Sequence, residues 1–299
     1  MRILVTGATG FVGSHLVPRL INDGATILEI TIDPVRSAEL YGDSISRFVY
    51  EDNINDLNSI VGQFNPEIVI HLASYLTSAD DTDSMKKLIQ SNVLFLCVVL
   101  DALKQTSLKL FVNVGSFAEY YRGDGVLSPA YLYTATKTAS RAFVDYYSEV
   151  YGFNYVTVVP YTIYGGKDSQ KKIIDVLYDS LYSRDPVSLS GGDQILDFIH
   201  VNDLVDFFMT IVDNIEVVVN KSVFHVGSGV GHSLKQIAHI IESITNKKTC
   251  VLWGGIPYRP RDVMYAVANI AEQYHQFRWR PKISIEEGIR IYVQKKGDN

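Results

Sequence analysis

Tyr133 and Lys137 stand four residues apart in a stretch, Tyr131 to Tyr151, whose pattern predicts a helix, so both side chains leave the same face. An ammonium beside a phenol favours the phenolate and draws its pKa towards the working pH. A tyrosine so placed can move a proton to or from a substrate oxygen. The spacing alone singles out nothing, because Tyr292 and Lys296 repeat it in the amphipathic terminal segment, Ser284 to Lys296. Ser116 distinguishes the first pair. It follows a predicted strand, Leu108 to Val114, at the rim where parallel sheets place their sites, and its hydroxyl can hydrogen-bond the same oxygen. The plain alternative is a surface tyrosine and lysine beside a capping serine.

The elements that must position these groups begin at the first residues. Arg2 to Thr6 reads as a buried strand, and Gly7, Gly10 and Gly13 follow it in the spacing G-x-x-G-x-x-G, with Thr9, Phe11 and Val12 between them. A helix pattern runs from Phe11 to Asp23, and Gly24 ends it. Strand, tight glycine turn and helix N-terminus together bind a pyrophosphate. A second strand, Ala25 to Ile32, ends at Asp33-Pro34. An acidic residue there holds ribose hydroxyls, whereas a nearby arginine, here Arg36, accommodates a 2′-phosphate, so NAD and NADP both stay open. Asp33 is also an ordinary turn residue before proline.

Phe48 to Tyr50 is a third strand, Leu57 to Phe64 a helix and Glu67 to His71 a fourth strand, closed by Leu72, Ala73 and Ser74 at the cofactor-facing edge. An amphipathic stretch from Asp83 to Gln105 carries Asn92, and Phe153 to Val159, closed by Pro160, is the sixth strand. Strands alternating with helices predict an α/β fold, a Rossmann-type doubly wound parallel sheet. Beyond residue 160 short elements are broken by loops. This predicts a dinucleotide-binding domain over 1–160 and a smaller, interleaved substrate lobe over 161–299, with segments returning to the dinucleotide-binding domain at about 190–215.

Composition sets the outer limits. A net charge of −6 argues against a nucleic-acid surface. No apolar run approaches membrane-spanning length, and no basic leader with a cleavage site precedes the first strand, which predicts a cytoplasmic protein without a membrane partner. Cys97 and Cys250 are far apart and the seven histidines show no ligand spacing, so neither a disulfide framework nor a metal is expected.

GATGFVG at residues 7–13, Ser116 and YTATK at 133–137 together resemble the extended short-chain dehydrogenase/reductase family of nucleotide-sugar enzymes. The resemblance extends along the chain. HLAS is similar to the family's HLAA, SNV at 91–93 to its helix asparagine and IYGG to its VYGP. LDFIHVNDL is similar to RDFIHVDDL, and RPRDVMYAVANI to a late RPGDV segment. It implies hydride transfer at a sugar carbon, with Tyr133 as acid/base, Lys137 orienting it and binding the nicotinamide ribose, and Ser116 polarising the carbonyl. Asn92 would hold the lysine through a water. The implied dinucleotide contacts are the glycine turn with Thr9, Phe11 and Val12, then Asp33 or Arg36, Asn53, Ile54, Leu72, Ala73, Ser74, Pro160 and Ile163. A homodimer through the helices bearing Leu94, Val98, Phe143 and Tyr147 is also implied.

Departures narrow the chemistry. Relatives that dehydrate the sugar carry Thr-Asp-Glu where this chain has Ser116-Phe117-Ala118, so their acid and base are missing. Leu196 replaces an arginine that in relatives meets the nucleotide phosphates, while Arg261 remains, and Asn53 replaces an adenine-contacting aspartate. Within the family the chain most resembles reductases of CDP-4-keto-6-deoxy sugars such as abequose and paratose synthases, in YTATKTASRAFVDYY, YGGKDSQKKI and LSGGDQILDFIHVNDL; GSFAEY also resembles a motif of GDP-4-keto-6-deoxymannose reductases. The expectation is an NAD(P)H-dependent C4-ketoreductase of a nucleotide-diphosphate sugar for surface polysaccharide, with NADPH favoured. Substrate contacts would come from Ser116, Phe117, Lys171, Lys172, Gln194 and Arg261. A 4-epimerase with retained NAD is the second reading, and a non-catalytic dinucleotide sensor the third.

Overall fold

The computed structural model describes residues 1–123, 125–166 and 171–297. Its first half repeats strand and helix: β1 (Arg2–Thr6), α1 (Gly13–Asn22), β2 (Thr26–Thr31), α2 (Pro34–Tyr41), β3 (Ser46–Val49), α3 (Ile54–Phe64) and β4 (Ile68–His71). Next come α4 (Thr82–Ile89), a π-helical turn (Gln90–Leu94) and α5 (Phe95–Ala102). β5 (Leu110–Val114) leads through a 3₁₀ turn (Phe117–Glu119) into α6 (Leu132–Tyr151) and β6 (Asn154–Pro160).

These strands form one parallel sheet in the order β10-β6-β5-β4-β1-β2-β3, where β10 (Val223–Val226) arrives late in the chain. The order reverses between β1 and β4, whose registers run Ile3 against Ile68 and Ile3 against Ile27 of β2. A crevice opens there at the carboxyl ends of the strands. The apolar run of β1 follows from two covered faces. Ile3 and Val5 pack under Leu16, Val17 and Leu20 of α1, whereas Leu4 packs with Leu57 and Val61 of α3 and Leu96, Val99 and Leu100 of α5.

The remaining elements are β7 (Thr162–Tyr164), α7 (Ile173–Ser180), β8 (Val187–Leu189), β9 (Ile195–His200) and α8 (Val201–Asp213). After β10 follow β11 (Gly231–Ser233), α9 (Leu234–Thr245), β12 (Val251–Trp253), β13 (Tyr265–Ala266), α10 (Ala271–Phe277) and α11 (Ile285–Gly297). A small sheet, β11-β9-β13 with β7 on β9, packs with α7, α9 and α11 around Tyr164, Leu177, Phe198, Ile237, Ile289 and Tyr292.

Within 190–215, where segments are expected to return to the dinucleotide-binding domain, the two elements divide. β9 belongs to the small sheet, and it is α8, whose Phe207 and Phe208 join the core above α1, and then β10 that rejoin the first domain. The stretch from Asp83 to Gln105 is not one helix but two, joined by the π turn. Among the described residues, no helix is long and apolar enough to cross a membrane.

Candidate active site

Helix α6 starts where Tyr131 N–H meets Thr134 Oγ1 (3.2 Å), and ends at Gly152, which takes the left-handed φ of +76°. Tyr133 and Lys137 lie on its inner face, the phenol half-buried and the lysine 5% exposed, with Nζ 6.0 Å from the tyrosine ring centroid. Ser116 caps the 3₁₀ turn after β5. Its Oγ accepts from the Ala118 N–H (3.3 Å), which leaves the serine O–H as a donor.

The electrostatics differ from the expected lowering of the phenol. Burial pushes Tyr133 up to about 12; the Ser74 hydroxyl beside it works the other way, and Tyr131 and Glu119 add to the rise. Burial pushes Lys137 down to about 8, partly offset by the Glu119 carboxylate. Desolvation therefore dominates, and the phenol is the protonated, donating form at neutral pH.

Asn92 occupies the π turn, and a π turn shifts one residue out of helical register. Its Oδ1 accepts from Tyr75 N–H (2.7 Å) and Ser74 Oγ (3.3 Å), and its Nδ2 donates to the Tyr75 carbonyl (3.0 Å) and Thr136 Oγ1 (3.0 Å). The amide thus clamps the exit of β4 onto α6 with protein groups at both ends. Below it lies His71, unmarked by the sequence reading. It is buried, bonded through Nδ1 to Thr6 Oγ1 (2.9 Å), and pushed down to about 3 by burial and by the Lys137 charge.

The crevice between β1 and β4 is a cleft of about 520 Å³ lined by Gly7, Thr9, Gly10, Leu72, Ala73 and Ser74, and at its far end by Ile32, Tyr50, Glu51 and Asp52. Its shape depends on missing side chains. Gly7 has φ +71°, and a Cβ there would stand 2.6 Å from Ala73 N; a Cβ at Gly13 would stand 2.3 Å from the Gly7 carbonyl. Among the described residues no hydrogen bond engages the amides of Phe11 and Val12, which face the turn ahead of α1. The cradle fits a dinucleotide, with its pyrophosphate on the turn. A separate open groove of about 630 Å³ between α9 and α11 shares no lining residue with this cleft.

The other expected dinucleotide contacts have these partners within the protein. Asp33 caps α2 by accepting from Arg36 N–H (2.9 Å), and the Arg36 guanidinium pairs with Glu39 (3.1 Å). Asn53 caps α3, which starts at Ile54. The Phe11 ring lies under the Lys172 ammonium, 3.7 Å from its centroid. Val12 caps α1, Pro160 pairs with Val226, and Ile163 pairs with Ile199 in the small sheet.

On the substrate side, Phe117 stacks on Tyr161 (5.5 Å, 23°), whose hydroxyl lies 3.3 Å from His225 Nδ1, an aromatic rim over β5, β6 and β10. Lys171 is exposed and paired with Asp179 (2.6 Å), while Gln194 donates to Ser190 Oγ (3.4 Å). Arg261 donates to Ser128 Oγ (2.9 Å) and covers the Tyr121 ring. Leu196 sits in β9 between His232 and Ala266. Residues 167–170 of the YGGKDSQKKI stretch lie outside the described residues. The fold therefore gathers Ser74, Asn92, Tyr133 and Lys137, with Ser116 on the turn packed against their helix.

A family profile described as the NAD dependent epimerase/dehydratase family matches residues 3–227. A CDP-abequose synthase of Yersinia pseudotuberculosis is 28% identical over 278 residues, covering 90% of this chain and 94% of that protein. A UDP-glucose 4-epimerase of Mycolicibacterium smegmatis is 24% identical, covering 98% of each chain. In fold, the chain superposes on a UDP-glucose 4-epimerase of Thermotoga maritima solved with UDP-glucose, with a TM-score of 0.85, 22% identity and 99% coverage of both chains. The profile spans the glycine turn, the serine and the tyrosine–lysine helix alike, and the chain belongs to the NAD dependent epimerase/dehydratase family.

Proposed function

We propose that the chain is an NAD(P)H-dependent C4-ketoreductase of a nucleotide-activated 4-keto-6-deoxysugar, supplying a cytoplasmic precursor for surface polysaccharide. The observation that carries this is the placement of Tyr133 and Lys137 one turn apart on the inner face of α6, with Ser116 capping the turn packed against that helix. A bound nicotinamide supplies the hydride. The chain's own groups do the rest: Ser116 O–H donates to the sugar carbonyl oxygen, Lys137 orients the dinucleotide and the phenol, and Tyr133 O–H gives its proton to the oxygen as the C–O bond becomes single. Dehydration has no support, since Phe117 is stacked on Tyr161 and Ala118 is buried where an acid and a base would be needed. The likeness to the Yersinia CDP-abequose synthase supports a keto sugar as substrate.

In this reading, residues 1–160 mainly hold the dinucleotide and 161–299 mainly the sugar nucleotide. NADH is favoured over NADPH in this reading, the reverse of the expected preference. Glu51 and Asp52 line its far end and would repel a 2′-phosphate, whereas Arg36 is held by Glu39. A homodimer is part of the proposal. Leu94, Phe143, Tyr146 and Val150 are exposed apolar groups on the π turn and α6, and two copies pairing there would cover them. Sedimentation at micromolar concentration tests it, and a monomer would contradict it.

The second reading, a 4-epimerase with retained NAD, is favoured by the end-to-end match to the Mycolicibacterium epimerase. Supplying a nucleotide 4-keto-6-deoxyhexose with NADH or NADPH and following nicotinamide absorbance separates the two. Stoichiometric oxidation with a 4-hydroxy product supports the reductase. Interconversion of 4-hydroxy sugars without added cofactor, and no oxidation with any keto sugar, would sink it.

A further inference from the structure

Beneath Ser116 lies a group that the proposed chemistry does not touch. Glu119 is the last residue of the 3₁₀ turn and its side chain is 0% exposed. Burying a carboxylate without hydrogen bonds is costly, and this one accepts four from three residues. Oε1 accepts from the Ser116 N–H (2.8 Å) and from Arg141 Nη2 (3.1 Å). Oε2 accepts from Arg141 Nε (2.9 Å) and Thr138 Oγ1 (3.1 Å). The two Arg141 bonds form a planar fork, the geometry that fixes direction as well as distance. Gly115 makes room for it, since a Cβ there would stand 2.4 Å from Oε1 and 3.0 Å from Nη2.

The placement of the partners gives this cluster its meaning. Tyr133, Lys137 and Arg141 follow each other at four-residue steps, so α6 carries the phenol, the ammonium and the guanidinium on successive turns of one face. The serine comes from a different element, the end of β5. A hydroxyl on a turn and a phenol on a helix share one substrate oxygen only if turn and helix are fastened together. Backbone bonds tie the turn to the segment ahead of α6, Ala130 N–H to the Ala118 carbonyl (2.9 Å) and Ser128 N–H to the Glu119 carbonyl (2.7 Å). The Glu119 carboxylate bonds residues of α6 itself, and it also reaches the Ser116 amide.

We propose that Glu119 is a positioning residue of this site, its buried carboxylate locking the Ser116 amide to Arg141 and Thr138 of α6 and so holding the serine hydroxyl in register with Tyr133. The inference rests on the proposed catalytic role of Ser116. A displacement of about 1 Å can cost about a hundredfold in rate, so the anchor acts on turnover more than on binding.

The test is a double-substitution cycle in the full chain. Glu119→Gln keeps an oxygen that can accept from the Ser116 amide but breaks the fork to Arg141. It is expected to lower kcat for keto-sugar reduction about tenfold, with dinucleotide Kd changed less than about twofold. In a Ser116→Ala background the same substitution should change kcat less than about twofold, because the group it positions is already gone. Equal losses in both backgrounds, or no loss in either, would overturn the inference. If Glu119→Gln does not fold, Arg141→Lys, which keeps the charge without the fork, is carried through the same cycle with the same criteria. Amide hydrogen exchange of residues 116–119 keeps the anchor separate from the catalytic reading. Faster exchange in the variant, with α6 unchanged, upholds the anchor even if the wild-type chain reduces no keto sugar. Unchanged exchange overturns it.

Discussion

The chain contains the same tyrosine–lysine spacing twice, and its two occurrences end in opposite situations. Tyr133 is half-buried on α6 within reach of Ser74, with an ammonium one turn along and the serine turn beside it. Tyr292 is 5% exposed in the core of the small lobe, where its hydroxyl donates to Asp175 Oδ1 (2.6 Å) and its ring meets Tyr178 edge-on. Lys296 faces the same carboxylate at 3.9 Å. Burial and that carboxylate both raise the Tyr292 phenol, well beyond its ordinary value. The difference teaches that the spacing is only a helical period. Chemistry needs an acceptor site left open beside the hydroxyl, and in the second pair Asp175 already fills it.

The largest effect expected from this contrast is on turnover. Tyr133→Phe should lower kcat by about 10²–10⁴-fold while leaving dinucleotide affinity within about twofold, because the ring still packs without its hydroxyl. Tyr292→Phe should leave kcat within about twofold. Steady-state rates and a binding titration on both variants check this, and equal losses would break the comparison.

Lys137→Met should follow, by about ten- to a hundredfold in kcat/KM, with weaker dinucleotide binding as well, since one ammonium serves phenol and ribose. Lys296→Met, which removes only a partly exposed ion pair, should change neither. Unchanged dinucleotide affinity in Lys137→Met would confine that lysine to the proton step.

A third expectation concerns acid. His71, under Lys137, has a folded-state pKa of about 3 against an ordinary value of about 6.5. Below pH 6.5 the unfolded chain binds a proton that the folded chain refuses until about pH 3. Stability is therefore fully present above about 6.5 and falls as pH drops towards 3, by up to about 1.4 kcal/mol per pH unit for this histidine. His200, pushed down to about 4 by burial, acts in the same direction over much of that window. Urea unfolding between pH 7 and 4.5 should show the loss, and a flat profile would contradict the neutral, buried His71.

The smallest effect reverses the first. Tyr292→Phe removes a buried donor from Asp175 and should cost about 1–2 kcal/mol of stability, whereas Tyr133→Phe should cost less than about half of that. Urea midpoints of the two variants sharpen the comparison if stability and turnover separate in this way.

How much of this could be seen in the residues varies with how local the cause is. The glycine turn, the buried strands and α6 are written in nearest-neighbour patterns, and the parallel sheet follows from their alternation. Helix α2 carries an equally local signal, an N-capping Asp33 before Pro34. The π turn has no such signal. Ile89, Leu94 and Phe95 continue an amphipathic pattern, and the irregularity is coupled to hydrogen bonds from Asn92 to groups 17 and 44 residues away. The late arrival of β10 is likewise a matter of which strand pairs with β6, and no local period encodes that. The state of the Tyr133 phenol depends on burial, which only the assembled fold supplies.

The π turn at Gln90–Leu94 also makes the site sensitive to the count of residues as well as to their kinds. Each residue advances an α-helix by about 100°, so one extra residue rotates everything beyond it by that much relative to everything before. α4 and α5 thus present faces that a regular helix of the same sequence could not present together. Removing a single residue beside Asn92 would restore an ordinary helix with every side chain type intact, yet it would swing the asparagine off Tyr75 and Thr136. Among relatives of this chain, a one-residue gap at that point should therefore accompany the loss or relocation of the clamp, even where serine, tyrosine and lysine are all kept.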